Sequence, residues 1–211
     1  MDVLHPRLMP YLEELLPPRE PVLAEMEDRA RRTGFPIVGP VIGQMFYLLT
    51  RLAGARTVFE LGSGYGYSTA WFAMAVRDNG GGTVHHVVWD EGLSADARGY
   101  FARMDLLPFA EFHIGEAVAA LRAREDRFDV IFNDIDKESY PASLPVIKEH
   151  LRSGGLLLTD NVLWHGAVLN PKERDGATEA IRIYTRQVFA DPDFVASVVP
   201  LRDGVLVARR T

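Results

Sequence analysis

Residues 59–68 have the sequence FELGSGYGYS, and their pattern guides the interpretation of the neighbouring segments. A short β-rich run at residues 57–61 enters a cluster of three glycines, and a helical pattern begins directly after it. This order lets the backbone approach a nucleotide-like ligand closely, and the helix N-terminus favours an anionic group. A glycine loop alone is also compatible with a simple tight turn. Glu60 favours an amino-acid-bearing ligand over a dinucleotide, because its carboxylate would repel a pyrophosphate but suit an ammonium group.

Strand and helix patterns alternate from this stretch towards the C-terminus. Further strands are predicted at residues 84–89, 110–114, 128–133 and 156–159. Helices are predicted at residues 68–76, 95–103, 117–124, 140–151 and 178–189. Such alternation implies right-handed crossovers and a doubly wound, mostly parallel α/β sheet. At the end, residues 196–201 and 205–209 flank Arg202-Asp203-Gly204, and the Asp-Gly pair predicts an antiparallel hairpin.

Three amphipathic helical patterns precede the first strand. The first runs from Leu4 to Leu16 and ends at Pro17 and Pro18, and the others cover residues 20–32 and 39–52. We expect these helices to cap one edge of the sheet. No repeat or linker is visible, so residues 1–211 are interpreted as a single domain with N-terminal helices at 1–52 and a sheet core at 57–211.

The composition excludes several classes of protein. Of the 211 residues, 47% are hydrophobic and 25% are charged, which is ordinary for a soluble globular protein. The net charge of −6 argues against a general nucleic-acid binder, whose affinity would come from neutralised phosphates. The absence of cysteine excludes disulfides, thiolate metal sites and cysteine nucleophiles. No signal-peptide pattern and no apolar run of about 18 residues is visible, so we expect a cytoplasmic protein without a membrane span.

Polar side chains follow two further predicted strands at the points where they end. Asp134 follows one strand, and Asp160 and Asn161 follow the next. Because the carboxyl ends of parallel strands meet at one edge of the sheet, these three oxygen donors are expected to converge near the glycine loop. Hard oxygen ligands suit Mg²⁺, or alternatively Mn²⁺ or Ca²⁺. The alternative is that these residues only terminate strands and cap turns.

Lys137 and three histidines complete the candidate residues. Lys137 is either a solvated surface charge or, beside a cation-bound hydroxyl, a general base. His85 and His86 are neighbours in a strand, so at most one faces any given site, and both are interpreted as packing or surface residues. His165 lies in a loop where it is either solvated or close to substrate. The motifs of zinc metalloproteases, P-loop proteins and α/β-hydrolases are absent from the sequence.

These features together resemble the cation-dependent class I O-methyltransferases, the family of caffeoyl-CoA and catechol O-methyltransferases. The matching motifs, in order, are Gly43-Gln44, Glu60-Leu61-Gly62 with Gly66-Tyr67-Ser68, Asp134-Ile135-Asp136-Lys137, Asp160-Asn161-Val162-Leu163-Trp164 and Pro200-Leu201-Arg202-Asp203-Gly204. The ordered combination is far more specific than any single motif. The resemblance implies a seven-stranded, Rossmann-like methyltransferase sheet whose last strand is antiparallel.

The resemblance also implies a cofactor, a metal and a reaction. S-adenosylmethionine would be the methyl donor, held by Val38, Glu60, Gly62, Gly64, Ser68, Glu116, Ala117 and Asp134. The metal ligands would be Asp134, Asp160 and Asn161, with Lys137 as the base. The acceptor would be a small phenol with vicinal hydroxyl groups, which lose a proton more easily when they chelate Mg²⁺. Family likeness further implies a homodimer formed through the N-terminal helices.

One position departs from the family pattern. The family has an acidic residue at the end of the second strand for the ribose hydroxyls, and here the matching register gives Val88. The nearest acidic residue is Asp90, followed by Glu91, and we assign the ribose contact to Asp90. Asn133 is also polar where the family usually has an apolar strand residue.

Two other functions remain open at this point. An NAD-dependent dehydrogenase on a similar sheet would use an acidic residue such as Asp90, but it leaves Asp160, Asn161 and Lys137 without a role. A non-catalytic S-adenosylmethionine-binding protein would need the glycine loop alone, and the intact set of candidate catalytic residues counts against it.

Overall fold

The computed structural model describes residues 5–211, in which helices cover both faces of one seven-stranded sheet. The strands are β1 (Thr57–Leu61), β2 (Thr83–Val88), β3 (Ala110–Ile114), β4 (Phe128–Asn133), β5 (Leu151–Thr159), β6 (Phe194–Val199) and β7 (Val205–Arg210). Their order is β3-β2-β1-β4-β5-β7-β6, and β7 runs antiparallel to both β5 and β6. This topology confirms the predicted doubly wound sheet with an antiparallel C-terminal pair.

The helices alternate with these strands, as expected. They are α1 (Leu8–Glu14), α2 (Pro21–Thr33), α3 (Gly39–Leu52), α4 (Tyr67–Asp78), α5 (Glu91–Arg103), α6 (Ala117–Arg122), α7 (Tyr140–His150) and α8 (Gly176–Ala190). Leu4, with which the first helical pattern begins, lies outside the described residues. Side chains of Asp90, Glu116 and Asp175 accept hydrogen bonds from backbone N–H groups and so fix where α5, α6 and α8 begin.

Helices α2 and α3 pack over a face of the sheet, so the expectation that the N-terminal helices cap its edge is wrong for these two helices. Phe46 of α3 packs against Phe72 of α4 and Phe132 of β4, with ring centroids 5.2 and 4.7 Å apart. Met26 of α2 and Ile42 of α3 are fully buried in the same cluster. Side chains of this size remove their apolar surface from water only against a sheet face, since a sheet edge offers mainly backbone groups.

Helices α6, α7 and α8 form the second hydrophobic cluster with the strands. Tyr140, Ile147 and Tyr184 are fully buried there, and the rings of Tyr140 and Tyr184 lie 5.2 Å apart. Covering both faces explains why residues 130–132 of β4 and 156–158 of β5 are apolar without alternation. Strand β5 begins at Leu151, five residues before the predicted start, because the Gly154-Gly155 pair lies within the strand and does not follow a helix as a stop.

The carboxyl ends of β1, β4 and β5 lie side by side at one edge of the sheet. Gly62, directly after β1, has a φ of +88°, and a Cβ atom there would lie 2.5 Å from the carbonyl oxygen of Asp134. Glycine therefore allows the β1 loop to approach the end of β4. Among residues 5–211, none of the helices has the length and apolar character needed to cross a bilayer.

Candidate active site

A cavity of about 1480 Å³ opens at this edge of the sheet. One end is lined by Gly62, Val88, Trp89 and the segment from Gly115 to Ala117. The other end is lined by Asp134, Lys137, Asn161, Trp164, His165 and Arg202, and His5, Pro6 and Met9 also line the cavity. Most small-molecule pockets have volumes of about 300–1,000 Å³, so this one has room for two ligands side by side.

The glycine loop is held rigidly between β2 and α2. The Ser63 hydroxyl accepts a hydrogen bond from the backbone N–H of Val87 (2.9 Å), and the Tyr65 hydroxyl donates to the carbonyl of Met26 (2.9 Å). Gly64 and Gly66 have φ angles of +48° and +88°, which other residues adopt only with strain. The loop conformation is therefore fixed before any ligand arrives.

Glu60 and Ser68 lie behind the loop and contact each other. The buried Glu60 carboxylate accepts hydrogen bonds from the hydroxyls of Ser68 and Thr69. Burial raises the pKa of Glu60 to about 7, and these hydrogen bonds only partly oppose the rise. Val38, at the start of α3, is also buried, whereas its neighbour Ile37 lines the cavity.

Lys137 and Asp134 form an ion pair on the cavity wall. The Lys137 amine donates to Oδ1 of Asp134 (2.7 Å) and to the carbonyl of Ile135 (3.2 Å). The amine also lies 5.0 Å from the centre of the Tyr140 ring, and only 11% of the lysine side chain is exposed. Burial raises the pKa of Asp134, the Lys137 charge opposes that rise, and the charge of Asp160 adds to it.

Asp160 and Asn161 lie next to this pair at the end of β5. The Asp160 side chain is fully buried; its Oδ2 accepts from Arg202 (3.1 Å), and its Oδ1 has no hydrogen-bond partner among residues 5–211. Burial raises the pKa of Asp160, and the guanidinium of Arg202 opposes the rise. Asn161 has a φ of +58°, a conformation that asparagine tolerates better than most residues.

Arg202 and Asp203 belong to the site, although the sequence pattern indicated only a hairpin turn there. The loop after β6 folds against the end of β5, where Leu163 donates its N–H to the carbonyl of Asp203 (2.8 Å). The buried Asp203 carboxylate accepts from the Asn161 side-chain amide (3.3 Å) and from the backbone N–H of His165. No local pattern signals these contacts, because they join residues about 40 positions apart in the sequence.

The ribose candidate does not line the cavity. Asp90 is exposed, and its Oδ1 accepts from the backbone N–H of Leu93 (2.8 Å), which caps α5. Glu116 lines the cavity with Ala117, and its carboxylate caps α6 by accepting from Val118 (2.9 Å).

The remaining polar candidates fall into three environments. His86 is fully buried, and His85 is nearly so. His165 lies at the cavity mouth with 83% of its side chain exposed. Asn133 is buried; its amide donates to the Ser143 hydroxyl (3.2 Å), and its Oδ1 has no hydrogen-bond partner among the described residues.

A match over nearly the whole chain identifies the family. The O-methyltransferase family model matches residues 19–211. This chain belongs to the O-methyltransferase family. The resemblance and the predicted class of enzyme, a transferase that moves a methyl group to an oxygen atom, are therefore confirmed. A protein named probable O-methyltransferase, from Mycobacterium tuberculosis, is 30% identical over 199 residues, which cover 90% of this O-methyltransferase and 84% of the relative.

Solved structures similar to this O-methyltransferase agree with that assignment. An O-methyltransferase from Bacillus cereus, in complex with SAH, superimposes with a TM-score of 0.86 and 28% identity over 96% of each chain. The O-methyltransferase TomG from Streptomyces achromogenes, involved in tomaymycin synthesis and in complex with SAM, gives a TM-score of 0.85 and 26% identity over 95% of this chain and 94% of that one.

Proposed function

We propose that this chain is an S-adenosylmethionine-dependent, divalent-cation-dependent O-methyltransferase whose acceptor is a small phenol with two adjacent hydroxyl groups. The observation that carries the proposal is the single cavity that joins the glycine loop to Asp134, Asn161 and Lys137. A methyl donor at one end and an acceptor at the other would meet inside it. Alignment of two bound reactants supplies a large part of the rate in such reactions.

The donor would bind at the glycine-loop end. Gly62, Val88 and the segment from Gly115 to Ala117 form walls there, and the two similar O-methyltransferases contain SAH or SAM. Gly62 and Gly64 would offer close backbone approach, and Glu116 and Ala117 would flank the adenine. The open part of Asp134 would contact the amino group of the donor.

Three other residues would support the donor indirectly, and Asp90 would contact it from beside the cavity. Glu60 and Ser68 would fix the glycine loop through their mutual hydrogen bond, and Val38 would fix the segment that leads to Ile37. The Oδ1 atom of Asp90 already accepts the hydrogen bond that caps α5. The ribose hydroxyls would therefore be bound by its Oδ2 atom.

The residues at the other end fit a divalent cation. Asp134, Asp160 and Asn161 offer two carboxylates and an amide oxygen, a donor set that suits Mg²⁺, Mn²⁺ or Ca²⁺. Oδ1 of Asp160 is a buried acceptor without a partner among the described residues. Burial disfavours the charge on both carboxylates, and Lys137 and Arg202 neutralise it only in part. We propose that these three residues hold Mg²⁺.

The chain's own groups would then perform three tasks. A phenol with a pKa of about 10 is a poor nucleophile at neutral pH. When bound, the cation would stabilise the negative charge that develops on the acceptor oxygen. Once its ammonium group has given a proton to solvent, Lys137 would accept the phenol proton at Nζ. The cavity walls would align the acceptor oxygen with the sulfonium methyl group. The oxygen–carbon bond forms as the carbon–sulfur bond breaks, which leaves a neutral thioether.

Calorimetric titration is the first test of this proposal. The protein, first stripped of metal, would be titrated with SAH and, separately, with NAD, in both cases with added Mg²⁺. Methyl transfer to a panel of catechols would then be measured with and without a chelator. We expect SAH alone to bind and methyl transfer to require the cation. Binding of NAD without SAH would support the dehydrogenase interpretation, and SAH binding without turnover would support the non-catalytic one.

The substitution Asp160→Ala tests the cation site separately. Replacing a residue that only supports a metal ligand lowers metal affinity or activity by about 10–100-fold. Loss of a direct ligand should therefore weaken Mg²⁺ binding and turnover by about 100-fold or more. Retained SAH binding would show that the variant is folded. Asp193→Ala is the matched control, because it replaces a half-exposed aspartate that pairs with Lys148. Unchanged Mg²⁺ dependence in Asp160→Ala would contradict the assignment.

Several other sequence-based expectations stay predictions. We propose that residues 1–211 act as one methyltransferase domain, supported by the burial of α2 and α3 side chains in a cluster shared with the sheet. The homodimer, the cytoplasmic location and the absence of nucleic-acid and membrane partners also remain predictions from the sequence.

A further inference from the structure

Three potential metal ligands lie outside the catalytic cavity, on strands β2 and β3. The Nδ1 atom of His85 is 3.1 Å from Nε2 of His113 and 3.4 Å from Oε2 of Glu111. The third separation, between His113 and Glu111, is 3.7 Å. None of the three residues lines the cavity, and none has a role in the proposed methyl transfer.

The strand register brings these side chains together. In the parallel pair of β2 and β3, His85 is the partner of Glu111, and Val87 is the partner of His113. Residues 111 and 113 are two apart in one strand, so their side chains point to the same face of the sheet. The cluster is therefore a product of regular strand pairing and needs no special loop.

We propose that His85, Glu111 and His113 form a Zn²⁺ site in which a water molecule completes the coordination. Zinc binds imidazole nitrogen and carboxylate oxygen at about 2.0–2.2 Å in tetrahedral geometry, which separates neighbouring ligand atoms by about 3.3–3.6 Å. The three observed separations bracket that spacing. Two histidines favour Zn²⁺ over Mg²⁺, because Mg²⁺ prefers oxygen ligands.

The surroundings of His85 prepare it as a ligand. Its ring stacks on Phe59, with centroids 5.6 Å apart, and contacts the edge of Phe128 at 5.2 Å. These rings fix the imidazole in place, as precise metal sites require. Burial lowers the pKa of His85 to about 4 and also lowers that of His113. Burial thus disfavours the protonated form of both imidazoles, and the neutral form is the one that binds metal.

The charged groups around the cluster do not exclude a cation. The positive charge of Arg124 acts on both histidines and helps to lower their pKa values, and Arg124 pairs with Asp126 (3.0 Å). Arg98 lies over the Phe112 ring, 4.5 Å from its centre. The half-exposed Glu111 supplies the negative charge and gives the ion a route in from solvent.

A bound ion would tie the outer strand of the sheet to its neighbour. Strand β3 is the terminal strand, and its register partner is β2. The two strands end at Val88 and Ile114, directly before residues that line the donor end of the cavity. Zinc would therefore stabilise the wall of the proposed donor site without taking part in the chemistry.

The test is a Zn²⁺ titration of the chelator-treated protein by calorimetry, with excess Mg²⁺ present to occupy oxygen-rich sites. Co²⁺ is used in parallel, because its visible absorption reports tetrahedral coordination. We expect one Zn²⁺ per chain. Replacing a residue that only supports a metal ligand lowers metal affinity by about 10–100-fold. Loss of a direct ligand in His113→Gln should therefore weaken Zn²⁺ binding by about 100-fold, and Glu111→Gln should weaken it by about tenfold or more.

Two control variants test whether Zn²⁺ binds at this cluster and not elsewhere on the chain. Glu125→Gln changes an exposed acidic residue next to Asp126, and Asp160→Asn changes the proposed Mg²⁺ site; both should bind Zn²⁺ like the unmodified chain. Circular dichroism checks that every variant is folded. The proposal is overturned if the unmodified chain binds no Zn²⁺, if His113→Gln and Glu111→Gln bind it normally, or if Asp160→Asn abolishes binding. In those cases the His85–His113 contact is a hydrogen bond only.

Discussion

At the scale of single residues, the site is built from charges that compensate one another. Asp134 pairs with Lys137 and Asp160 pairs with Arg202, while burial raises the pKa of both carboxyl groups. A buried carboxylate is costly unless it is paired or binds a metal. Each of these carboxylates has one oxygen engaged by a cationic side chain, which leaves the other oxygen for a cation or a substrate.

Lys137 is the residue whose replacement should separate binding from chemistry. In Lys137→Met the apolar stem remains but the amine that would accept the phenol proton is lost, so kcat should fall by about 10²–10⁴-fold. The affinity for SAH, measured by calorimetry, should change much less than kcat, since Lys137 itself would not contact the donor.

A second lysine provides the control for this prediction. Lys148 on α7 pairs with Asp191 and Asp193, away from the cavity, and Lys148→Met should retain normal turnover. A Lys137→Met enzyme with unchanged kcat would remove the proton-accepting role. It would leave Lys137 as a partner that only balances the charge of Asp134.

At the scale of elements, the loop between β6 and β7 has more influence on the site than its length suggests. It brings Arg202 against Asp160 and brings Asp203 against Asn161 and the backbone of His165. Trp164 and His165 have φ angles of +45° and +51°, so the segment after β5 holds a strained backbone. The hydrogen bonds from Asp203 give a physical reason for that conformation to persist.

The substitution Asp203→Asn tests whether this loop orients a metal ligand. In this variant an NH₂ group, which can only donate, replaces one of the two carboxylate oxygens that accept hydrogen bonds from Asn161 and His165, so the side chain of Asn161 should lose its fixed orientation. We expect Mg²⁺ affinity to fall by about 10–100-fold in calorimetry, as for other residues that orient metal ligands. SAH affinity should be unchanged, which also shows that the variant is folded.

Asp193→Asn is the corresponding control at the other end of β6. Asp193 is half-exposed and pairs with Lys148, so its replacement should change neither affinity. Normal Mg²⁺ binding in Asp203→Asn would mean that the Asn161 amide is oriented by its own left-handed backbone and not by the loop.

At the scale of the whole molecule, the sheet buries titratable groups without a charged partner. His86 on β2 is fully buried, and burial lowers its pKa to about 3. Its Nδ1 lies 3.2 Å from the Thr69 hydroxyl, and Nε2 has no hydrogen-bond partner among the described residues. On the same face, burial raises the pKa of Glu60 to about 7.

These shifts affect stability in opposite directions with pH. Between pH 3 and 6.5 the unfolded chain binds a proton on His86 that the folded chain does not, so the free energy of unfolding falls as the pH decreases below about 6.5. For Glu60 the folded chain binds the extra proton, so the free energy of unfolding falls as the pH rises from 4.5 through about 7.

His86→Gln should therefore flatten the acid side of the stability curve. Going from pH 6.5 to pH 5, the unmodified chain should lose about 2 kcal/mol through this one histidine, since each pKa unit corresponds to about 1.4 kcal/mol. The variant should not show that loss in urea unfolding at the two pH values, in the presence of a chelator. His165→Gln, at an exposed position, should show the loss unchanged. Equal pH slopes in His86→Gln and the unmodified chain would contradict the prediction.

Local patterns in the sequence were sufficient to predict the fold class and the outline of the site. The alternation of strand and helix patterns, the glycine loop after β1 and the polar residues after β4 and β5 are local signals, and parallel strands necessarily bring those ends to one edge. The Asp-Gly pair likewise predicted the antiparallel end of the sheet. Such features depend on neighbouring residues, so one sequence is sufficient to predict them.

Which side chains meet depends on the packing of distant segments. Arg202 and Asp203 reach the site, Asp90 caps a helix outside the cavity, and α3 covers a face of the sheet and not its edge. The cluster of His85, Glu111 and His113 likewise depends on the register between two strands. Such contacts join residues that are distant in the chain, and they are set by packing and by the need to satisfy buried polar groups, which no local pattern encodes.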